Sequence, residues 1–226
     1  MQEQLSLVEM IENLLQVDDE SWGLYAFSRD ILKERIPADK KLEMIRKAMT
    51  CGKEYAQRTI REYGSSDVNT IAEKLKLKIV FQDAMMTGKR ILFASYTPPD
   101  EIGIMTEPVN KATQLILKDE SVYIDYFQKY SIMNTMLGHE IFHCVEDKFE
   151  QEIYTRTEKI LLWNFLGFKN NSTVRALGEI GAMAFTKELN GLKYSPFILD
   201  ILLYYSYDSV SAEKIYSDVL EMSSGR

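Results

Sequence analysis

Histidine is nearly missing from this chain, with two in 226 residues. Cysteine is equally scarce. Cys51 and Cys144 lie far apart, so there is no disulfide framework, and the usage suits a reducing compartment. No long apolar run exists either. The most apolar stretch, 197–205, is broken by Asp200 and falls far short of the ~20 residues a bilayer requires. Basic charge is not in excess: Lys+Arg 27 against Asp+Glu 34 gives −7, which argues against a role coating nucleic acid. The N-terminus has no basic leader, and Glu3, Glu9 and Glu12 interrupt its apolar positions, so it does not read as a secretory signal. A cytoplasmic protein without membrane attachment is expected, and the sequon at Asn171 then reads as a polar loop.

What remains is ordinary globular material, 46% hydrophobic and 27% charged. A chain of this length makes one domain, or one domain plus a small appendage. Residues 1–39 carry nine acidic and three basic side chains, and read as an acidic helical appendage. Leu7, Met10, Ile11 and Leu14 recur there at helical spacing. Residues 40–226 read as the main domain. Its first element, 40–63, is an amphipathic helix with a local balance of +4, ended by Gly64. Asp67 or Ser66 is placed to cap a helix over 68–75, and 77–81 has strand composition. Three more strands are expected at 91–96, 102–105 and 112–117. Helices are expected at 131–147, 149–167, 174–189, 196–206 and 211–222, with a loop at 170–172. The fold class that follows is α+β: mainly helical, with a small antiparallel or mixed sheet of three to four strands.

The two histidines fall together. Residues 138–144 read Gly-His-Glu-Ile-Phe-His-Cys, so His139 and His143 stand four apart with Glu140 after the first. Two randomly placed histidines fall four apart about 1% of the time, and the glutamate makes it roughly one in a thousand, so accident is a poor explanation. On a helix, i and i+4 share a face. Two imidazoles there can point at one ion, and Zn²⁺ suits imidazole and carboxylate ligands. Glu140 then projects beside the metal, where it can take a proton from water and hand it to a leaving amine.

A catalytic zinc site wants a third protein ligand and an open position. There is no third histidine, and Cys144 points about 100° away around the helix, so a carboxylate is expected. Glu146, Asp147, Glu150 and Glu152 sit in a charged run that reads as solvated, and Glu158 in another. Glu179 instead lies in an apolar, small-residue helix, where an ionised carboxylate is costly unless paired or metal-bound. Glu179 is therefore the leading third ligand and Glu146 the next. The bland alternative pairs Glu179 with Arg175, four residues earlier.

Three stretches now carry a likeness: 67–81 (DVNTIAEKLKLKIVF), 135–143 (TMLGHEIFH) and 179–185 (EIGAMAF). With the helix at 40–63, the chain over about 40–190 resembles the ImmA/IrrE family of zinc metallopeptidases. Their metal helix commonly reads T-x-A-H-E-x-x-H, and a second helix reads E-x-x-A-x-x-F. The resemblance implies a helical domain with a small sheet and the metal helix at its centre. It implies His139, His143 and Glu179 as ligands, Glu140 as base and Zn²⁺ as cofactor. It also implies a protein substrate, typically a helix-turn-helix transcriptional repressor. The sequence departs from the pattern in the 36 residues between His143 and Glu179, with an aromatic-rich insertion at 154–169 that either shapes the cleft or forms a core helix. A second donor for the oxyanion is expected from a tyrosine or an arginine, or else the metal works alone; Tyr96, Tyr123, Tyr126 and Tyr194 are the tyrosine candidates. An extended peptide could add to an edge strand at 102–105 or 112–117. The competing function is a module that sequesters a regulatory protein without cutting it.

Overall fold

The computed structural model describes residues 5–83, 86–87, 90–91, 93–118, 127, 131–166 and 168–225. It is α+β and mainly helical. Helix α1 (Leu7–Leu15) starts at a capping box, in which Ser6 Oγ accepts from the Glu9 amide and Glu9 accepts from the Ser6 amide. Its buried stripe is Leu7, Met10, Ile11 and Leu14. Helix α2 (Asp19–Ser28) is capped by Asp18 and buries Trp22, Tyr25 and Phe27. Both helices join the same core as the rest of the chain. Trp22 stacks on Phe197 with ring centroids 6.0 Å apart. Asp30 Oδ2 accepts from the Ala176 amide at 2.9 Å, which caps a helix almost 150 residues downstream in sequence.

Helix α3 (Ala38–Tyr63) is the longest, and Gly64 ends it in the left-handed region at φ 65°. Asp67 caps α4 (Val68–Lys74) through the Thr70 amide. Strands β1 (Lys78–Gln82), β2 (Met86–Thr87), β3 (Arg90–Ile91), β4 (Ala94–Thr97) and β5 (Glu101–Met105) follow. The main sheet is mixed, in the order β1-β5-β4: β5 runs parallel to β1 and antiparallel to β4. Short β2 and β3 pair with each other.

Two expectations for this region fail. Residues 102–105 do form a strand, but it is the centre of the sheet, so it offers no edge. Residues 112–117 are no strand at all; they belong to α5 (Thr106–Lys118). A short apolar run fits either period, and Pro108, in the first turn of that helix, was the readable signal for an N-terminus.

Helix α6 (Ser131–Lys148) carries the two histidines and is covered on almost every side. Ile132, Leu137, Ile141, Phe142 and Val145 are buried, so the helix sits at the centre of the molecule. Next comes α7 (Tyr154–Thr157), a single turn. The helix expected over 149–167 and the loop at 170–172 are replaced by a hairpin, β6 (Lys159–Phe165) with β7 (Phe168–Thr173). Leu161, Trp163, Phe165, Leu166 and Phe168 stand exposed on it. Then come α8 (Arg175–Asn190), α9 (Ile198–Tyr205) and α10 (Ser209–Ser224). No described helix is long and apolar enough to cross a membrane.

Helices α3 and α8 pack along each other with small residues meeting at the seam. A Cβ on Gly52 would stand 2.2 Å from the Gly181 carbonyl oxygen and 2.9 Å from the Phe185 amide nitrogen. Backbone atoms cannot swing aside, so the helices would have to part. Gly52→Ala should therefore destabilise by about 1–3 kcal/mol despite its better helix propensity. A lower urea midpoint at unchanged m checks this, and a raised midpoint would show the contact to be loose. Gly181 faces the other way, where its Cβ would meet Phe142 and Thr155. The close approach holds α8 against α6 and so brings Glu179 over the histidines.

Candidate metal centre

His139 and His143 project from one face of α6, as their spacing requires. Their Nε2 atoms lie 3.1 Å apart. Glu179, on α8, puts Oε2 3.3 Å from His139 Nε2 and Oε1 3.9 Å from His143 Nε2. The three ligand atoms lie within 4.8 Å of one another. Ligands about 2.0–2.2 Å from a tetrahedral ion stand roughly 3.3–3.6 Å from each other, and the donor set, with separations of 3.1, 3.3 and 3.9 Å, is close to that size. Arg175 is exposed and forms no ion pair with Glu179 among the described residues, which removes the bland alternative.

Electrostatics describe the same cluster. Burial opposes a charge on His139, but the hydrogen bond and charge of Glu179 outweigh it and raise the imidazole pKa to about 9. Burial likewise pulls Glu179 upward, and the pairing with His139, with His143 adding, holds it down at about 2. A proton thus ties the set together. His139 Nδ1 is buried and has no hydrogen-bond partner among the described residues.

His143 is oriented from behind. Its Nδ1 is 2.8 Å from Glu146 Oε2, and a carboxylate only accepts, so Nδ1 carries the proton and Nε2 keeps its lone pair for the centre. Glu146 is 2% exposed and also accepts from Thr155 Oγ1, with Arg156 Nη2 at 3.5 Å. Expected as a solvated residue or as the second choice of ligand, Glu146 is neither exposed nor on the ligand side. It fixes the ring through the far nitrogen, the usual place for a carboxylate behind a metal-binding histidine. The sequence hides this because the turn carrying Thr155 folds back over the charged run.

Glu140 is buried, at 7% exposure, and makes no hydrogen bond or ion pair among the described residues. It lines a cleft of about 620 Å³ together with His139 and Glu179. Phe93, Met183, Leu203 and Tyr204 give the cleft apolar walls, and β4, at the sheet edge, contributes Ala94. A group of residues that sequence reasoning missed completes it. Tyr25 donates its hydroxyl to Asp200 Oδ2 at 3.2 Å and accepts from Arg29 Nη1 at 2.7 Å. Arg29 Nη1 also stands 3.2 Å from Asp200 Oδ2. Burial raises the Asp200 pKa against the pull of Arg29, and burial with the Asp200 charge raises that of Tyr25. The i, i+4 pairing of Tyr25 and Arg29 was visible in the sequence, but nothing there joined it to Asp200.

Of the tyrosines expected at the oxyanion, Tyr96 and Tyr194 do not line this cleft. Tyr96 donates to the Pro99 carbonyl and faces Cys144 and Asp147, and Tyr194 packs against Phe127. Tyr123 and Tyr126 lie outside the described residues. Cys51 and Cys144 are both free. Compared with family models, with curated proteins and with solved structures, the chain finds no match.

Proposed function

We propose that this chain is a zinc-dependent endopeptidase of narrow specificity acting on a protein substrate. One observation carries the reading: two imidazole Nε2 atoms 3.1 Å apart, a carboxylate beside both, and a buried carboxylate on the same helix with no hydrogen-bond or ion-pair partner among the described residues. His139, His143 and Glu179 would hold the ion. Zn²⁺ bound there supplies a Lewis acid, which makes water nucleophilic near neutral pH and polarises a peptide carbonyl. Glu140 then does the proton work. It accepts the proton of the attacking water and gives it to the departing amine. Glu146 keeps His143 in one tautomer throughout, and the apolar walls limit competing water. The likeness of 135–143 and 179–185 to ImmA/IrrE metallopeptidases supports the class, and with it a helix-turn-helix repressor as the substrate.

The test is cleavage of such a repressor by the zinc-loaded protein, read by intact mass. Two product masses summing to the substrate plus one water are expected, lost on adding a chelator and restored by zinc. The second reading, sequestration without cutting, draws on the apolar face of the β6–β7 hairpin, which could hold a partner whether or not it is cleaved. It expects a stable complex and an unchanged mass.

Glu146 gives a subtler expectation. Glu146→Ala leaves all three ligands in place but frees the His143 ring. Zinc affinity should fall by roughly 10–100-fold. Competition with a chromophoric chelator measures it, and an unchanged affinity would make the Glu146 contact merely structural.

A further inference from the structure

Two arginines line the cleft and neither takes part in the proposed metal chemistry. Among its acidic groups, Asp30 is occupied on both oxygens, by the Leu32 and Ala176 amides. Asp200 is occupied by Tyr25 and Arg29. Glu140 and Glu179 belong to the proposed reaction. That leaves Arg175 without a counter-charge among the described residues, and Arg29, paired with Asp200, with donors to spare. Arg175 lines the cleft at the start of α8, is exposed, and has no hydrogen bond or ion pair among the described residues. Arg29 hydrogen-bonds through Nη1 alone, with its guanidinium carbon 5.4 Å from the centre of the Tyr25 ring; its Nη2 and Nε have no hydrogen-bond partner among the described residues. It is half-buried, and Tyr25 and Asp200 hold it against the cleft wall. A guanidinium fixed through one nitrogen presents its remaining donors as a fork that matches a carboxylate.

Resting on the peptidase reading, we infer that Arg29 and Arg175 form a carboxylate-recognition subsite, so that the preferred substrate places an acidic group beside the bond to be cut. The neighbouring Phe93, Leu203 and Tyr204 accept an apolar side chain from the same peptide. The carboxylate can be an aspartate or glutamate side chain or a free C-terminus. The second source would make this an enzyme that trims chain ends.

Calorimetric titration of the full chain with three probe peptides tests this. They are acetyl-Ala-Phe-Leu-Glu-Leu-amide, its Gln counterpart, and the Gln peptide with a free C-terminal acid. The Glu140→Gln variant serves as receptor so that binding is read without turnover. One or both acidic peptides should bind at least about tenfold tighter than the neutral one, and which of them does so identifies the source. The preference should shrink in Arg175→Met, where no existing contact is lost, and should survive in part in Arg29→Lys. Equal binding of all three peptides, no binding at millimolar concentration, or a preference unchanged in Arg175→Met and Arg29→Met would overturn the subsite. The titration is repeated without metal. If zinc fails to bind at all, the charge preference is still measurable, so failure of the metal reading and failure of the subsite are separate results.

Discussion

Glu140→Gln should abolish cleavage while leaving everything else in place. The change keeps the shape of the side chain and removes its basicity. A positioned general base contributes about 10²–10⁴-fold, so the turnover rate should fall by that much. Zinc content and thermal midpoint should match the parent, because Glu140 stands outside the proposed ligand set and has no ion pair to lose among the described residues. Turnover by intact mass, with metal analysis on the same samples, is the check. Cleavage at the parent rate would remove Glu140 from the mechanism. Loss of zinc along with activity would make it a ligand.

The second large effect separates ligands from one another. Glu179 is about half exposed, at 52%, and its partner His139 can give up its proton when the carboxylate is removed, so Glu179→Ala leaves no buried charge stranded. It should lose zinc by more than the roughly 10–100-fold expected for an outer-sphere change, yet keep its fold. His143→Ala should lose zinc to a similar degree and stability as well. It leaves the Glu146 carboxylate, 3% exposed in its side chain, without the imidazole it accepts from. An unsatisfied buried charge costs about 1–3 kcal/mol or more, partly offset here by Thr155 and Arg156. Urea denaturation of the metal-free variants measures the difference. If both variants were equally stable, the Glu146 contact would carry no energy.

Much of this was legible in the sequence, for reasons that differ by element. Helices with strong local signals were readable: the stripe of α1, the Asp67 cap, the Gly64 stop and the i, i+4 histidines all act within a few residues. The place of Glu179 beside the histidines was readable from its apolar, small-residue helix, although its side chain is half exposed and burial is not what sets it apart. The misreadings concern groups whose partners come from afar. Glu146 looked solvated beside Asp147 and Glu150, and only tertiary structure brings Thr155 over it. The leucine-rich stretch of β6 has helical composition, and its pairing with the polar strand β7 makes it a strand. Arg29 was counted as one charge in an acidic appendage, whereas packing against α9 delivers it to the cleft.

X-ray absorption at the zinc edge, on protein loaded with one equivalent of metal, bears most directly on the centre. Two nitrogen ligands at about 2.0–2.1 Å with carboxylate or water oxygen at about 2.0–2.2 Å are expected, with no sulfur. A sulfur shell near about 2.3 Å would bring Cys144 into the coordination sphere. That result, or failure of the protein to retain zinc, would contradict the assignment of His139, His143 and Glu179 as one site.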